Sequence, residues 1–151
     1  MSILDFIIRK KPVEVEDLVK TQVKDIMKTD IVYVPPENSI SQAIKAMRDG
    51  NVNYLIIMEV NEIIDGVVTD GDILYSIYKQ KINPEKTKIS EIMTKDILTL
   101  GPGENIDEAL EIMIKNKVRR LPIVEKESHL VGLISMTDIE NYAGYNIVMK
   151  I

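Results

Sequence analysis

Cysteine is absent from this chain. A disulfide framework and a thiolate metal site are therefore both excluded, and the simplest setting is an intracellular one, expected to be the cytoplasm. Basic charge is also in short supply: 19 Lys and Arg face 24 Asp and Glu, for a net charge of -5. That balance argues against a broad electrostatic grip on nucleic acid, which needs lysine and arginine clustered toward the phosphates. Histidine occurs once, at His129, in a hydrophilic connection where a solvated loop residue is expected rather than a ligand or catalytic base. Long apolar runs are missing too. The cluster Ile3, Leu4, Phe6, Ile7 and Ile8 is far shorter than the roughly 20 residues of a membrane span. Arg9, Lys10 and Lys11 follow that cluster instead of preceding it, which is the reverse of a secretory signal. It reads as an arm, helical or extended, that docks on the body and is broken by Pro12.

What remains is the composition of an ordinary globular protein, 45% apolar and 28% charged over 151 residues. That length supports one domain or two very small ones. From Val23 onward the chain can be laid on itself without a gap at an offset of 66, so that Met27 meets Met93, Asp30 meets Asp96 and Asp72 meets Asp138. Of the 52 positions paired from Val23 to Leu74, 15 are identical. Two copies are too few, and the period too long, for a solenoid. The sequence therefore divides into an arm at 1–22, a first repeat at 23–80, a second at 81–143 with its preceding linker, and a tail at 144–151. Each repeat is too small to bury much surface alone and should take part of its core from the other.

The local signals agree between the copies. Ile31 to Val34 and Ile97 to Leu100 are short strand-like runs ended by Pro36 and Pro102. Ser39 and Asn105 stand as helix N-caps with Gln42 and Glu108 three residues on. Ile40, Ala43, Ile44 and Met47 follow at helical spacing, as do Ile106, Ala109, Leu110 and Met113. Gly50 and Asn116 are expected to end these helices in the left-handed conformation. A hairpin comes next in each copy, and a second helix starts near Asp70 or Thr137.

The junction before that second helix is the most informative stretch. Gly66, Val67, Val68, Thr69, Asp72 and Ile73 recur as Gly132, Leu133, Ile134, Ser135, Asp138 and Ile139. A hydroxyl three residues before an acid is what a capping box looks like, satisfying orphan backbone donors at a helix start. The same groups can instead serve a ligand, since a carboxylate accepts strong hydrogen bonds from a diol and a helix N-terminus favours an anion. Asp70 and Asp72 alone make a poor magnesium site, so no metal is expected. Gly101, Pro102 and Gly103 form a turn rather than a phosphate loop, because the lysine and hydroxyl of such loops are missing.

Taken together, Ile26-Met27 and Ile92-Met93, the proline after each first strand, and Val118 to Val124 followed by Gly132 to Ile139 resemble the CBS domain, named for cystathionine beta-synthase. Two in tandem resemble a stand-alone Bateman module. The resemblance covers residues 23 to about 143. It implies an α+β fold of two β-α-β-β-α repeats packed through their sheets about a pseudo-twofold axis, with clefts that hold adenosine-containing ligands such as AMP, ADP, ATP or S-adenosylmethionine. Asp72 and Asp138 match the family's ribose-binding positions and Thr69 and Ser135 its phosphate-binding ones, and Thr137 is a further nucleotide-binding candidate. Ile31 and Tyr54 in the first repeat, and Ile97, Leu121 and Pro122 in the second, match adenine-wall positions, with Arg119 and Arg120 beside them.

A ligand-sensing regulatory module is thus the expected function, controlling an unidentified partner protein or its own association. A structural or partner-binding module is the alternative. An enzyme is not expected, because no nucleophile-base pair or metal cluster is visible and carboxylate chemistry would have to act alone. The family usually forms homodimers, and the arm together with Tyr145, Ile147, Val148, Met149 and Ile151 offers extra apolar surface for one. The two clefts should differ: Asp70 is replaced by Met136, and Asn53 and Tyr54 by Arg119 and Arg120, so the Asp138 cleft is the more cationic.

Overall fold

A computed structural model describes residues 7–9 and 20–147. Its elements are β1 (Ile7–Arg9), β2 (Tyr33–Val34), α1 (Ile40–Gly50), β3 (Tyr54–Met58), β4 (Ile64–Thr69), α2 (Asp70–Tyr78), α3 (Ile106–Asn116), β5 (Arg120–Val124), β6 (Leu130–Ser135), α4 (Met136–Ala143) and β7 (Tyr145–Ile147). This is an α+β chain in which the order strand, helix, strand, strand, helix runs once in full and returns in the second copy as helix, strand, strand, helix. β2 pairs in parallel with β3, and β3 pairs antiparallel with β4. The parallel pair requires a crossover, which α1 supplies, whereas β3 and β4 close as a hairpin. In the second copy β5 pairs with β6, and the first strand shrinks to one parallel bridge between Leu100 and Ile123. The expected strand from Ile97 to Leu100 is thus reduced to its last residue.

The helices form where the apolar spacing puts them. Ile40, Ala43 and Met47 are buried on α1, and Ile106, Ala109, Leu110 and Met113 on α3. Ser39 caps α1 through a capping box with Gln42. Asn105 occupies the equivalent position but makes no side-chain cap. Glu108 is engaged otherwise: a hydrogen bond with the Glu104 carboxyl, with burial and the neighbouring acids adding to it, holds Glu108 up at about 6. The helix ends also fall one residue later than expected. Asn51 and Lys117 take the left-handed conformation, at φ 52° and 55°, while Gly50 and Asn116 remain the last helical residues. Gly50 is needed for space instead, because a Cβ there would come within 2.8 Å of the Val32 side chain.

The compact units do not coincide with the repeats of the sequence. Of the described residues, one unit holds those up to Thr29, Leu98–Lys126, and those from Val131 on. The other holds Asp30–Ile97 with Glu127–Leu130. The start of the first repeat, 23–29, therefore packs with the body of the second, and the start of the second, 89–97, packs with the body of the first. Val23 is buried among Ile106, Leu110, Met113, Leu121, Ile134 and Ile139. Ile89, its equivalent, is buried among Val34, Ile40, Met47, Leu55, Ile57 and Val68. Short helical turns at Val23–Asp25 and Ile89–Glu91 deliver these two side chains.

The arm is extended where it is described: β1 pairs antiparallel with β7, with Ile7 opposite Ile147 and Arg9 opposite Tyr145. Ile3, Leu4, Phe6, Pro12, Val148, Met149 and Ile151 lie outside the described residues. His129 is not simply solvated, since its Nε2 lies 3.0 Å from Glu62 Oε2 beside the backbone bridge between Ile63 and His129.

Candidate functional site

Each unit carries one hydroxyl-acid junction, built the same way from the backbone up. β6 buries Leu130, Gly132 and Ile134 on one face and delivers Ser135 at its end as the N-cap of α4. The Asp138 amide donates to Ser135 Oγ at 3.0 Å, and the Ser135 amide donates to Asp138 Oδ2 at 3.0 Å. In the other unit β4 delivers Thr69 to α2, with the Asp72 amide 3.2 Å from Thr69 Oγ1 and the Thr69 amide 2.9 Å from Asp72 Oδ2. The capping box is therefore formed at both junctions. It uses one carboxylate oxygen of each acid and leaves the other for a further partner. The first amide of each helix is taken as well, by the Arg119 carbonyl for Met136 at 2.8 Å and by the Asn53 carbonyl for Asp70 at 3.1 Å.

A short segment from the exchanged part of the chain borders each junction. Lys28 and Leu133 exchange backbone hydrogen bonds of 2.9 and 2.8 Å, and Thr94 and Val67 do the same at 2.9 and 3.0 Å. Glycine permits this approach. A Cβ on Gly132 would collide with the Met27 side chain, and one on Gly66 would collide with Met93 and stand 2.9 Å from the Thr94 carbonyl oxygen. The recurrent glycine and the recurrent methionine are thus two halves of one contact. A side chain at Gly66 would meet rigid backbone, which can give way less readily than a thioether.

The pairing brings Lys28 to Asp138. Its Nζ lies 3.3 Å from Asp138 Oδ1; the Lys28 side chain is 72% exposed and that of Asp138 only 9%. Lys28 did not figure among the candidates from sequence. Its signal was available, as the residue after the recurrent methionine where the other copy has Thr94, but its proximity to Asp138 depends on the exchanged segment.

The other candidates fall into place as follows. Arg119 is committed to Glu140, at 3.3 Å, and its Nη1 also lies 3.4 Å from Met136 Sδ. Arg120 and Tyr54 begin β5 and β3 and are partly buried. Leu121 is wholly buried in the core around Val23 and Ile134, so its side chain serves packing. Pro122 is buried beside it, and its carbonyl accepts from the Leu100 amide at 3.2 Å. Ile31 and Ile97 are partly buried and both belong to the unit that contains Asp72. Ile97 thus shares a compact unit with the acid of the other repeat, in contrast to its assignment to the second. Thr137 is exposed in the first turn of α4, where α2 has Gly71. Among the described residues no group of three or more His, Asp and Glu side chains could hold a metal ion. Nor is any helix among them long and apolar enough to cross a membrane.

The chain is similar to known proteins in sequence and in fold. The profile of the CBS domain matches the chain twice, at residues 23–79 and 89–144. A CBS domain-containing protein, YhcV of Bacillus subtilis, is 30% identical over 119 residues, which cover 79% of this chain and 83% of that one. Inosine-5'-monophosphate dehydrogenase of Methanocaldococcus jannaschii is 30% identical over 115 residues, 76% of this chain but only 22% of the enzyme. Among solved structures, the CBS domain pair of protein MJ0100, in complex with 5'-methylthioadenosine and S-adenosyl-L-methionine, superposes with a TM-score of 0.73 at 28% identity, covering 82% of this chain and 96% of that one.

Proposed function

The chain belongs to the CBS domain family as a tandem pair, and from that premise we propose that it binds adenosine-containing ligands and acts as a sensor that regulates a partner protein or its own association. The observation that carries this reading is the paired junction. In both units a strand ends on a hydroxyl residue that caps a helix three residues before a part-buried carboxylate, and that carboxylate keeps one oxygen outside the capping box. Such an oxygen can accept from a ribose hydroxyl, in a bond about twice as strong as a neutral one. The similarity to the MJ0100 pair, which is complexed with two adenosyl compounds, supports the same chemistry here. The chain corresponds to only 22% of the dehydrogenase it resembles, so that enzyme's activity is not carried over. We take this chain to be regulatory rather than catalytic.

A thermal-shift panel of AMP, ADP, ATP, S-adenosylmethionine, 5'-methylthioadenosine and NAD tests the reading. A ligand present at a hundred times its dissociation constant should add about 2.7 kcal/mol to the stability. No shift with any of the six compounds would favour the alternative, a partner-binding module whose junctions serve only as helix caps.

Self-association belongs to the same proposal. α2 exposes Leu74, Tyr75 and Tyr78, and the spacing i, i+1, i+4 places them on one face. An apolar helix face of this kind suits a second copy of the chain. Light scattering at micromolar concentration should report twice the 17.2 kDa chain mass. A monomer both with and without ligand would refute the dimer.

A further inference from the structure

We propose that Lys28 sets the charge of the ligand at the Asp138 junction, so that this junction takes an adenosine compound bearing a phosphate. The Asp72 junction then takes an uncharged or cationic one. The inference rests on the adenosyl-binding reading above and concerns which member of that class each junction accepts.

The two junctions share a backbone arrangement and differ in charge around the helix start at two positions, where Lys28 stands against Thr94 and Met136 against Asp70. At Asp138 the bordering segment contributes Lys28, with its ammonium 3.3 Å from Oδ1. At Asp72 the equivalent residue is Thr94, placed by the same backbone pairing and uncharged. The first turn of α4 holds a single acid, Asp138, while that of α2 holds two, Asp70 and Asp72. Asp70 also folds back so that its Oδ1 accepts from the Gly71 amide at 2.8 Å. The donor that α2 could offer an anion is therefore already covered by a carboxylate. In α4 the corresponding position before Thr137 is Met136, which has no oxygen to do this, and Thr137 adds an exposed hydroxyl.

Arginine is the usual choice for phosphate, but Arg119 is bound to Glu140 and is not the nearest cation to Asp138. Lys28 is. Its exposed four-carbon stem allows the ammonium to yield Oδ1 to a ribose hydroxyl and remain close enough to meet a phosphate as a point charge. An uncharged adenosyl compound gains nothing from this exchange and must still displace the lysine. A cationic one is repelled. At Asp72 the signs reverse, since Asp70 repels phosphate and attracts a positive group.

Calorimetric titration of the full chain with AMP and with 5'-methylthioadenosine, which lacks the phosphate, tests the assignment. Lys28→Thr installs the residue found at the equivalent position, and Lys28→Gln controls for the loss of the stem. Both should weaken AMP at the Asp138 junction about tenfold while leaving 5'-methylthioadenosine unchanged or slightly tighter. Thr94→Lys should strengthen AMP at the Asp72 junction. Equal changes for both compounds in the Lys28 variants would show that the lysine acts without regard to charge and would overturn the inference, leaving adenosyl binding intact. If the unmodified chain binds neither compound nor any other adenosyl ligand, the underlying reading fails as well.

Discussion

Ile89→Ala should destabilise the protein by about 2–5 kcal/mol, the range for deleting most of a fully buried isoleucine side chain. Ile89 has no exposed surface and lies among Val34, Ile40, Met47, Leu55 and Ile57. The location of the damage is as informative as its size. By sequence Ile89 opens the second repeat, yet the buried residues around it belong to the first. Hydrogen exchange of Ile89→Ala should therefore show protection lost in α1, β3 and β4 before α3 and β5. Loss of protection confined to α3, β5 and β6 would refute the exchange of segments. Val23→Ala should show the mirror pattern at smaller cost, since fewer atoms are removed and the core it occupies is that of α3 and α4.

Asp138→Asn should reduce adenosyl affinity at its junction by roughly 10- to 100-fold, corresponding to about 1.5–3 kcal/mol for one hydrogen bond to a charged group. Asparagine can still accept from the Ser135 amide, so this variant removes the charge and largely preserves the helix cap. Asp138→Ala is a less clean test than the sequence suggests. The carboxylate closes the capping box of α4, and its loss should cost about 1 kcal/mol of stability in addition to affinity. Calorimetric titration with 5'-methylthioadenosine and AMP, alongside a denaturation curve for each variant, separates the two effects. Unchanged affinity in Asp138→Asn would remove this residue from the binding site. Asp72→Asn provides the matching measurement in the other unit, where no lysine competes for the acid.

The protein's local structure could be read directly from the chain. The apolar spacing of Ile40, Ala43 and Met47 and of Ile106, Ala109 and Met113 specifies helices with one buried face, because side-chain direction follows the helical period wherever the helix docks. The Ser39 cap, the two hairpins and the capping boxes at Thr69 and Ser135 are contacts between residues a few positions apart, so their spacing is their geometry. The offset of 66 likewise revealed two equivalent copies with an acid at each helix start.

Only the tertiary structure decided which parts of the copies belong together. An offset repeat reads the same whether the 23–29 segment packs on its own copy or on the other, because the apolar residues that would receive it are nearly alike in both. Val23 beside Ile106, Ile89 beside Ile40, and Lys28 beside Asp138 are consequences of that choice. So is the burial of Leu121 as a core residue. The left-handed residues Asn51 and Lys117 were missed for a related reason. Gly50 looked like a helix end, but its missing side chain answers the approach of Val32, a steric demand set by packing rather than by the turn. Periodicity and spacing record what a residue asks of its neighbours along the chain; what it asks of neighbours brought by folding is recorded only in the packed structure.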